Sequence, residues 1–348
     1  MTTKRKTKNK HMVLSGLKQS IFIILHSLKW ILLAAILGGT VVFGAIFGYV
    51  SALVKDDPIR PKDEIVAALS QTSETGYIYF RDTEGTGEPE LMGQLRSEID
   101  QQPITSIENE VPQIIIDAFL AIEDNDFMEH NGIDIGATLR AVRQELLNES
   151  TQTGGSTITQ QLARNLFLSL KQTHSRKFKE ILLAMRMERY LSKEEILVGY
   201  LNRVPFGSSS TGYQVHGIKA AARGIFGLEL SELNLAQAAY LAGLPQSPIA
   251  YSAFTGTGQF KESGFNAALK RQRLVLYRML EEGKITEEQY EEALAFDIRS
   301  SLAPPSQKAY NTYPFLMLEV ESRATDILMK LEHPELTPED PAYQEVRA

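Results

Sequence analysis

The sequence predicts a mainly α-helical protein with one membrane-spanning helix and a small β-rich stalk. Three observations carry this. No charged residue occurs from Trp30 to Val54, a run longer than the roughly 20 apolar residues that cross a bilayer as a helix. Strand signals are confined to the stretch before Val111. From Pro112 onward the pattern turns helical, with Ile115, Phe119 and Ile122 at helical spacing.

The anchor is read as residues 30–54. Before it, Lys4, Arg5, Lys6, Lys8, Lys10, Lys18 and Lys29 are basic, and no acid precedes Asp56. Residues 1–29 therefore read as a basic cytoplasmic tail with an interfacial segment, and the positive-inside rule puts the rest outside. A cleaved signal peptide has an apolar region of only about 7–15 residues and a small-residue cleavage site, and neither fits.

Residues 55–110 read as the stalk. Its first part is charged and carries Pro58 and Pro61; Tyr77-Ile78-Tyr79-Phe80 is a short strand signal, and Asp82 to Gly87 is turn-rich. Leu91 to Ile107 supplies another strand or two. Residues 111–297 form the main helical domain, and residues 298–348 a linker, Ala303-Pro304-Pro305-Ser306, with a further C-terminal region.

Composition bounds the chemistry. A chain of 348 residues holds a sizeable core and two units. It has no cysteine, so neither a disulfide framework nor thiol chemistry is available. The net charge is −7, and with seven basic residues before Lys55 the remainder carries −14. Such a domain is no general nucleic-acid binder, and an anionic ligand must be held by a local basic cluster.

Three segments look chosen for chemistry. The first is Glu123-Asp124-Asn125-Asp126-Phe127-Met128-Glu129-His130-Asn131-Gly132. Glu123 falls at the end of a helix after an apolar run, where desolvation and the negative helix pole both raise a carboxyl pKa. A Glu-Asp pair alone would read as an exposed helix end. His130 suits a satisfied hydrogen bond better than a metal, because no second His or Cys stands at ligand spacing.

The second segment is Gly154-Gly155-Ser156-Thr157-Ile158-Thr159-Gln160-Gln161-Leu162-Ala163-Arg164-Asn165. It follows a polar stretch from Gln144 that reads as a loop, and Ser156 offers a helix N-cap. On that helix Thr157, Gln161 and Arg164 make a polar stripe, while Ile158, Leu162 and Leu166 make an apolar one. Paired Thr and Gln are poor choices for helix stability alone, so ligand contact is the better reading. Arg164 can grip a phosphate bidentately.

The third is Arg176-Lys177-Phe178-Lys179-Glu180. Seven basic residues and two acids lie between Arg164 and Arg189, a local reversal of sign that suits a diphosphate. Taken alone, Arg176 and Glu180 would be a solvated i,i+4 ion pair.

Together these segments resemble the family 51 glycosyltransferases, the peptidoglycan polymerases found alone or as the first half of class A penicillin-binding proteins. The resemblance implies a lysozyme-like helical transglycosylase domain over about Val111 to Asp297. It implies Glu123 as catalytic base and Glu180, 57 positions on, as the second catalytic Glu. Asp124, Phe127 and His130 then support the first motif; Ser156, Thr157, Gln160, Gln161, Arg164 and Asn165 bind substrate from the second. Arg176 and Lys177 match the diphosphate-binding positions. Lipid II and the growing lipid-linked glycan strand are the implied substrates, the cytoplasmic membrane and other cell-wall synthesis proteins the implied partners. Mg²⁺ or Mn²⁺ held by Glu180 is the implied metal, and no organic cofactor is implied. The apolar run Asn165 to Leu170 is either core or, by the resemblance, dips into the outer leaflet.

The departures are Val198, where the family usually has Glu, and Leu228, where it often has Lys. Ser192 with Glu195 makes a capping box for the helix between. The tail resembles the connection to a transpeptidase domain, but the only Ser-x-x-Lys is Ser15-Gly16-Leu17-Lys18, and Lys-Thr-Gly is absent. The expectation is glycan polymerisation without transpeptidation in this stretch, as a monofunctional enzyme or the front of a bifunctional one. The rivals are a muramidase, since paired carboxylates also serve glycoside hydrolysis, and an inactive membrane-anchored scaffold.

Overall fold

The structure is a computed structural model that describes residues 2–54, 60–71, 74–81, 85, 87, 89–95, 97, 99–146, 155–168 and 174–347. Most of the turn at 82–87, the loop from 147 to 154 and Lys171 lie outside the described residues.

The chain divides into two units, Met1–Ile59 with Gln172–Lys179, and Arg60–Lys171 with Glu180–Ala348. The first unit holds α1 (Thr2–Val54), a single helix. Within it Ile24–Tyr49 has a mean hydropathy of 2.3 and is long and apolar enough to cross a membrane. From Ile24 to Phe43 its Leu, Ile, Val and Phe side chains are exposed, as is Phe47, as lipid-facing groups would be. The backbone is helical from the basic N-terminal stretch through the apolar span.

The second unit opens with α2 (Lys62–Ser70), a helix within the stretch read as the stalk. Pro61 stands at its N-cap, just before the first turn, where a missing N–H costs nothing. Ile65 is buried, and Arg203 donates from Nη2 to the carbonyl oxygens of Ala68 and Gln71, satisfying acceptors that the helix end leaves open. Strands β1 (Tyr77–Tyr79) and β2 (Leu91–Gln94) pair antiparallel. Next, β3 (Ile99–Gln101) leaves the stalk and pairs in parallel with a strand of the main domain, Gln214–His216.

The helical body follows as α3 (Ile107–Glu110), α4 (Gln113–Glu123), α5 (Ile135–Leu146), α6 (Ile158–Phe167), α7 (His174–Tyr190) and α8 (Lys193–Arg203). Helix α5 runs through Leu146, so the polar stretch from Gln144 begins as helix. The capping box of Ser192 and Glu195 opens α8 as expected. Strands β4 (Pro205–Ser208) and β5 (Gln214–His216) complete the sheet in the order β3-β5-β4. Then come α9 (Ile218–Ala221), α10 (Leu235–Gly243), α11 (Pro248–Tyr251), α12 (Glu262–Glu281), α13 (Glu287–Ala295), α14 (Ala309–Thr312), α15 (Pro314–Glu332) and α16 (Pro341–Arg347).

Helix α10 is the centre of the core. Every residue from Ala236 to Gly243 is buried, and it packs against α4 and α12. Its four alanines and Gly243 let neighbouring backbones approach closely. Phe119 of α4 stands edge-on to Tyr200 of α8 and Phe206 of β4, with ring centroids 6.2 Å apart in both cases. This holds the C-terminal end of α4, and so Glu123, in one place.

Candidate active site

Helix α4 buries Ile115, Ile116, Phe119 and Leu120 and ends on Glu123. The chain leaves it at Asp124, whose N–H still reaches Leu120 O at 3.0 Å. Glu123 is thereby set at the wall of a cavity of about 290 Å³, shared with Ser156, Thr157, Gln161, Gln246 and Arg271. Its Oε2 accepts from Gln161 Nε2 at 2.7 Å. Burial pushes the Glu123 carboxyl above the usual range; the Gln161 hydrogen bond and the Arg271 and Arg164 guanidiniums oppose this, and the Asp124 charge adds to it. A carboxyl held up in this way is a better proton acceptor near neutrality than a solvated one.

Asp124 ties the first motif to the second. It is only 8% exposed. Its Oδ1 is 2.8 Å from His130 Nε2, and its Oδ2 accepts the backbone N–H of Ile158, the first residue of α6, at 2.9 Å. His130 Nδ1 accepts from Gly132 N at 3.2 Å, which assigns the proton to Nε2, so the ring donates to Asp124. Phe127 is fully buried, edge-on to His130.

The cap of α6 is Thr157 rather than Ser156. Its Oγ1 accepts from Gln160 N at 3.2 Å and donates to Gly132 O at 2.8 Å. Gln160, 1% exposed, donates to the same carbonyl at 3.2 Å. Gln160 is thus turned inward to the first motif, and it is Ser156, Thr157 and Gln161 that reach the cavity wall. Gly132 has a φ of +86°, and a Cβ there would stand 2.8 Å from the Ala184 carbonyl carbon of α7. Only glycine meets both demands.

Arg164 is half-buried on α6 and makes no side-chain hydrogen bond or ion pair among the described residues; its charge acts on Glu123 and on Tyr200. Tyr200 is fully buried, its hydroxyl has no hydrogen-bond partner among the described residues, and burial together with the Glu123 charge drives its pKa well up. Asn165 is exposed, while Leu166, Phe167 and Leu168 pack against the core. Glu180 is 1% exposed on α7 and is not part of the cavity wall. Arg176 and Lys177 are half-buried on the first turns of α7, in the unit that holds α1.

The structure adds residues that sequence reading missed. Arg271 of α12 lines the cavity, and its Nε is buried with no hydrogen-bond partner among the described residues. Burial draws its guanidinium below the usual range, with Glu123 opposing, yet an arginine keeps its charge. Its stem lies along α10, where a Cβ on Gly243 would come within 2.9 Å of Arg271 Cγ. Arg140 and Arg278 line the same cavity, and Asn125 donates to Glu282 across its rim at 2.9 Å. No sequence signal marks Arg271, which stands in the basic run Lys270-Arg271-Gln272-Arg273 of a scaffold helix. Among the described residues no group of three or more His, Cys, Asp or Glu side chains is placed to hold a metal ion. The residues therefore do not fit a dedicated protein metal cage. A second cavity, of about 260 Å³ between α2 and α8, includes Val198 and none of the site residues; Leu228 packs on the core.

A family model described as Transglycosylase matches residues 88–280. Among curated proteins, Penicillin-binding protein 1A of Clostridium perfringens (strain 13 / Type A) is 35% identical over 77% of this chain and 37% of its own length. Penicillin-binding protein 1A of Aquifex aeolicus (strain VF5) is 43% identical over 60% of this chain and 26% of its own. That of Escherichia coli (strain K12) is 38% identical over 57% and 22%. The chain thus spans little more than a third of the length of these relatives at most. The matched region contains α4, α6 and the cavity that Glu123 shares with Gln161, and on that match the chain belongs to the transglycosylase family.

Proposed function

We propose that this protein is an inverting peptidoglycan glycosyltransferase that polymerises lipid II into β-1,4 glycan strands. The observation that carries the reading is Glu123, a carboxyl group raised by burial at a cavity wall, with a donor on one oxygen and guanidiniums around it. Glu123 takes the proton of the 4-hydroxyl of the acceptor's N-acetylglucosamine. The freed oxygen pair attacks the anomeric carbon of the lipid-linked strand, the bond to the diphosphate breaks, and undecaprenyl diphosphate leaves. Its charge is met by Arg164, and Arg271 supplies a further guanidinium at the wall; for Arg176 and Lys177 the family resemblance implies diphosphate binding, and for Glu180 the part of the second catalytic Glu. In this scheme Ser156, Gln161 and Asn165 face substrate, while Asp124, Phe127, His130, Thr157 and Gln160 hold the two motifs together.

The setting is the bacterial cytoplasmic membrane, crossed once by α1 with its basic end inside, in company with other cell-wall synthesis proteins. A divalent ion, Mg²⁺ or Mn²⁺, would act only as a counter-ion to the diphosphate, taking oxygen ligands from the substrate. Incubating the full chain with lipid II and, separately, with finished peptidoglycan tests the reading. Polymer from the first and no breakdown of the second is expected. Breakdown of the second without polymer from the first would make it a muramidase, and no change in either would leave a scaffold.

A further inference from the structure

We infer that Lys193 is a positioning residue for the Glu123 carboxylate, an inference that rests on the reading above. Lys193 is the first residue of α8, where the positive helix pole disfavours a cation. Its ammonium is nevertheless held there by three groups, two from the first motif and one from α7. Nζ donates to His130 O at 2.6 Å and to the Glu188 carboxylate at 2.8 Å, and lies 4.4 Å from the ring centroid of Phe127. An ammonium has three donors and no acceptor, so two of its donors are committed to the protein and the ring takes one face.

Glu188 is the continuation. Its side chain is 4% exposed, and its Oε1 also accepts from Thr159 Oγ1 of α6 at 2.6 Å. The contacts therefore close on themselves. Glu123 and Asp124 are neighbours; Asp124 holds His130; the His130 carbonyl holds Lys193; Lys193 holds Glu188; Glu188 holds Thr159; and Thr159 lies two residues before Gln161, the donor to Glu123. The distance from base to donor is fixed from both sides, once by Asp124 and once by Lys193. If Lys193 served only to neutralise a buried acid, it would have no need of the His130 carbonyl.

Two double variants separate these roles. In Lys193→Met with Glu188→Gln, and in Lys193→Gln with Glu188→Gln, no buried charge is left unpaired, and the net charge is the same. They differ in one group, the donor offered to His130 O. We expect the Met version to polymerise lipid II more slowly than the parent, on the order of 10²-fold for a base displaced by about 1 Å. Its acid limb should move to higher pH, and amide hydrogen exchange over residues 124–132 should be faster. The Gln version should recover part of the rate, the parent pH profile and the slow exchange. Equal rates per folded molecule, equal pH profiles and equal exchange in the two would overturn the inference, whatever their melting temperatures. Should the parent itself fail to act on lipid II, the proposed function falls, while exchange over 124–132 still decides what Lys193 does.

Discussion

Gln161 Nε2 donates to Glu123 Oε2 at 2.7 Å across 38 positions of sequence, and this single hydrogen bond joins the first motif to the second at the carboxyl proposed as the base. It opposes the desolvation that raises the carboxyl pKa. Replacing Gln161 with Met removes the donor and leaves the burial. The acid limb of the pH–rate profile is then expected to move to higher pH, read from initial rates across a pH series.

Glu123→Gln removes the base itself. Loss of general-base catalysis is expected to slow polymerisation by about 10²–10⁴-fold, measured on lipid II. The same variant should change stability in a pH-dependent way. Because the folded pKa lies above the unfolded one, the parent is most stable below the unfolded value and loses stability as pH rises through the raised folded value. Glu123→Gln does not titrate, so its melting temperature should gain on the parent's as pH rises through that window and hold the gain above it.

Asp124→Ala deletes the acceptor for His130 and for the first amide of α6. Each buried donor left unpaired costs about 1–3 kcal/mol, and the loss should appear as a lower midpoint in denaturant. A midpoint equal to the parent's would show that water replaces the carboxylate at both donors.

Gly243→Ala puts a methyl group 2.9 Å from Arg271 Cγ. The helix propensity of Ala offers up to about 1 kcal/mol in return, against about 1–3 kcal/mol of overpacking. A small net change in melting temperature is expected, with a clear rise in KM because the guanidinium is displaced from the cavity. Arg271→Ala should raise KM with the melting temperature little changed.

Chelation by EDTA should slow polymerisation and leave the melting temperature of the substrate-free protein unchanged, because the metal ligands assigned here are mostly substrate oxygens. A fall in melting temperature would instead reveal a resident ion.

Much of this was legible in the residues. An apolar helical period ending on Glu123 placed that carboxyl correctly, and the Ser192–Glu195 box opened α8 where its spacing said. The cap of α6 slipped by one because Ser156 and Thr157 are both competent; which hydroxyl caps is decided by the Gly132 carbonyl, a partner 25 positions away. Helix α2 was not read within the charged, proline-bearing stalk, since the Arg203 guanidinium that closes its far end comes from 132 positions on. Arg271 was illegible for the same kind of reason. Polar residues occur around much of its helix, and only the packing of α10 against α12 shows which of them reaches the cavity.

The parallel pairing of β3 with β5 matches Ile99 to Gln214, 115 positions apart. A contact of such high order cannot form while the chain between is still being delivered, and closing so large a loop is slow. In a nascent chain the strand that leads into the catalytic body must therefore wait, unzipped, until β5 emerges. Its pairing would follow the synthesis of α3 to α8 rather than precede it.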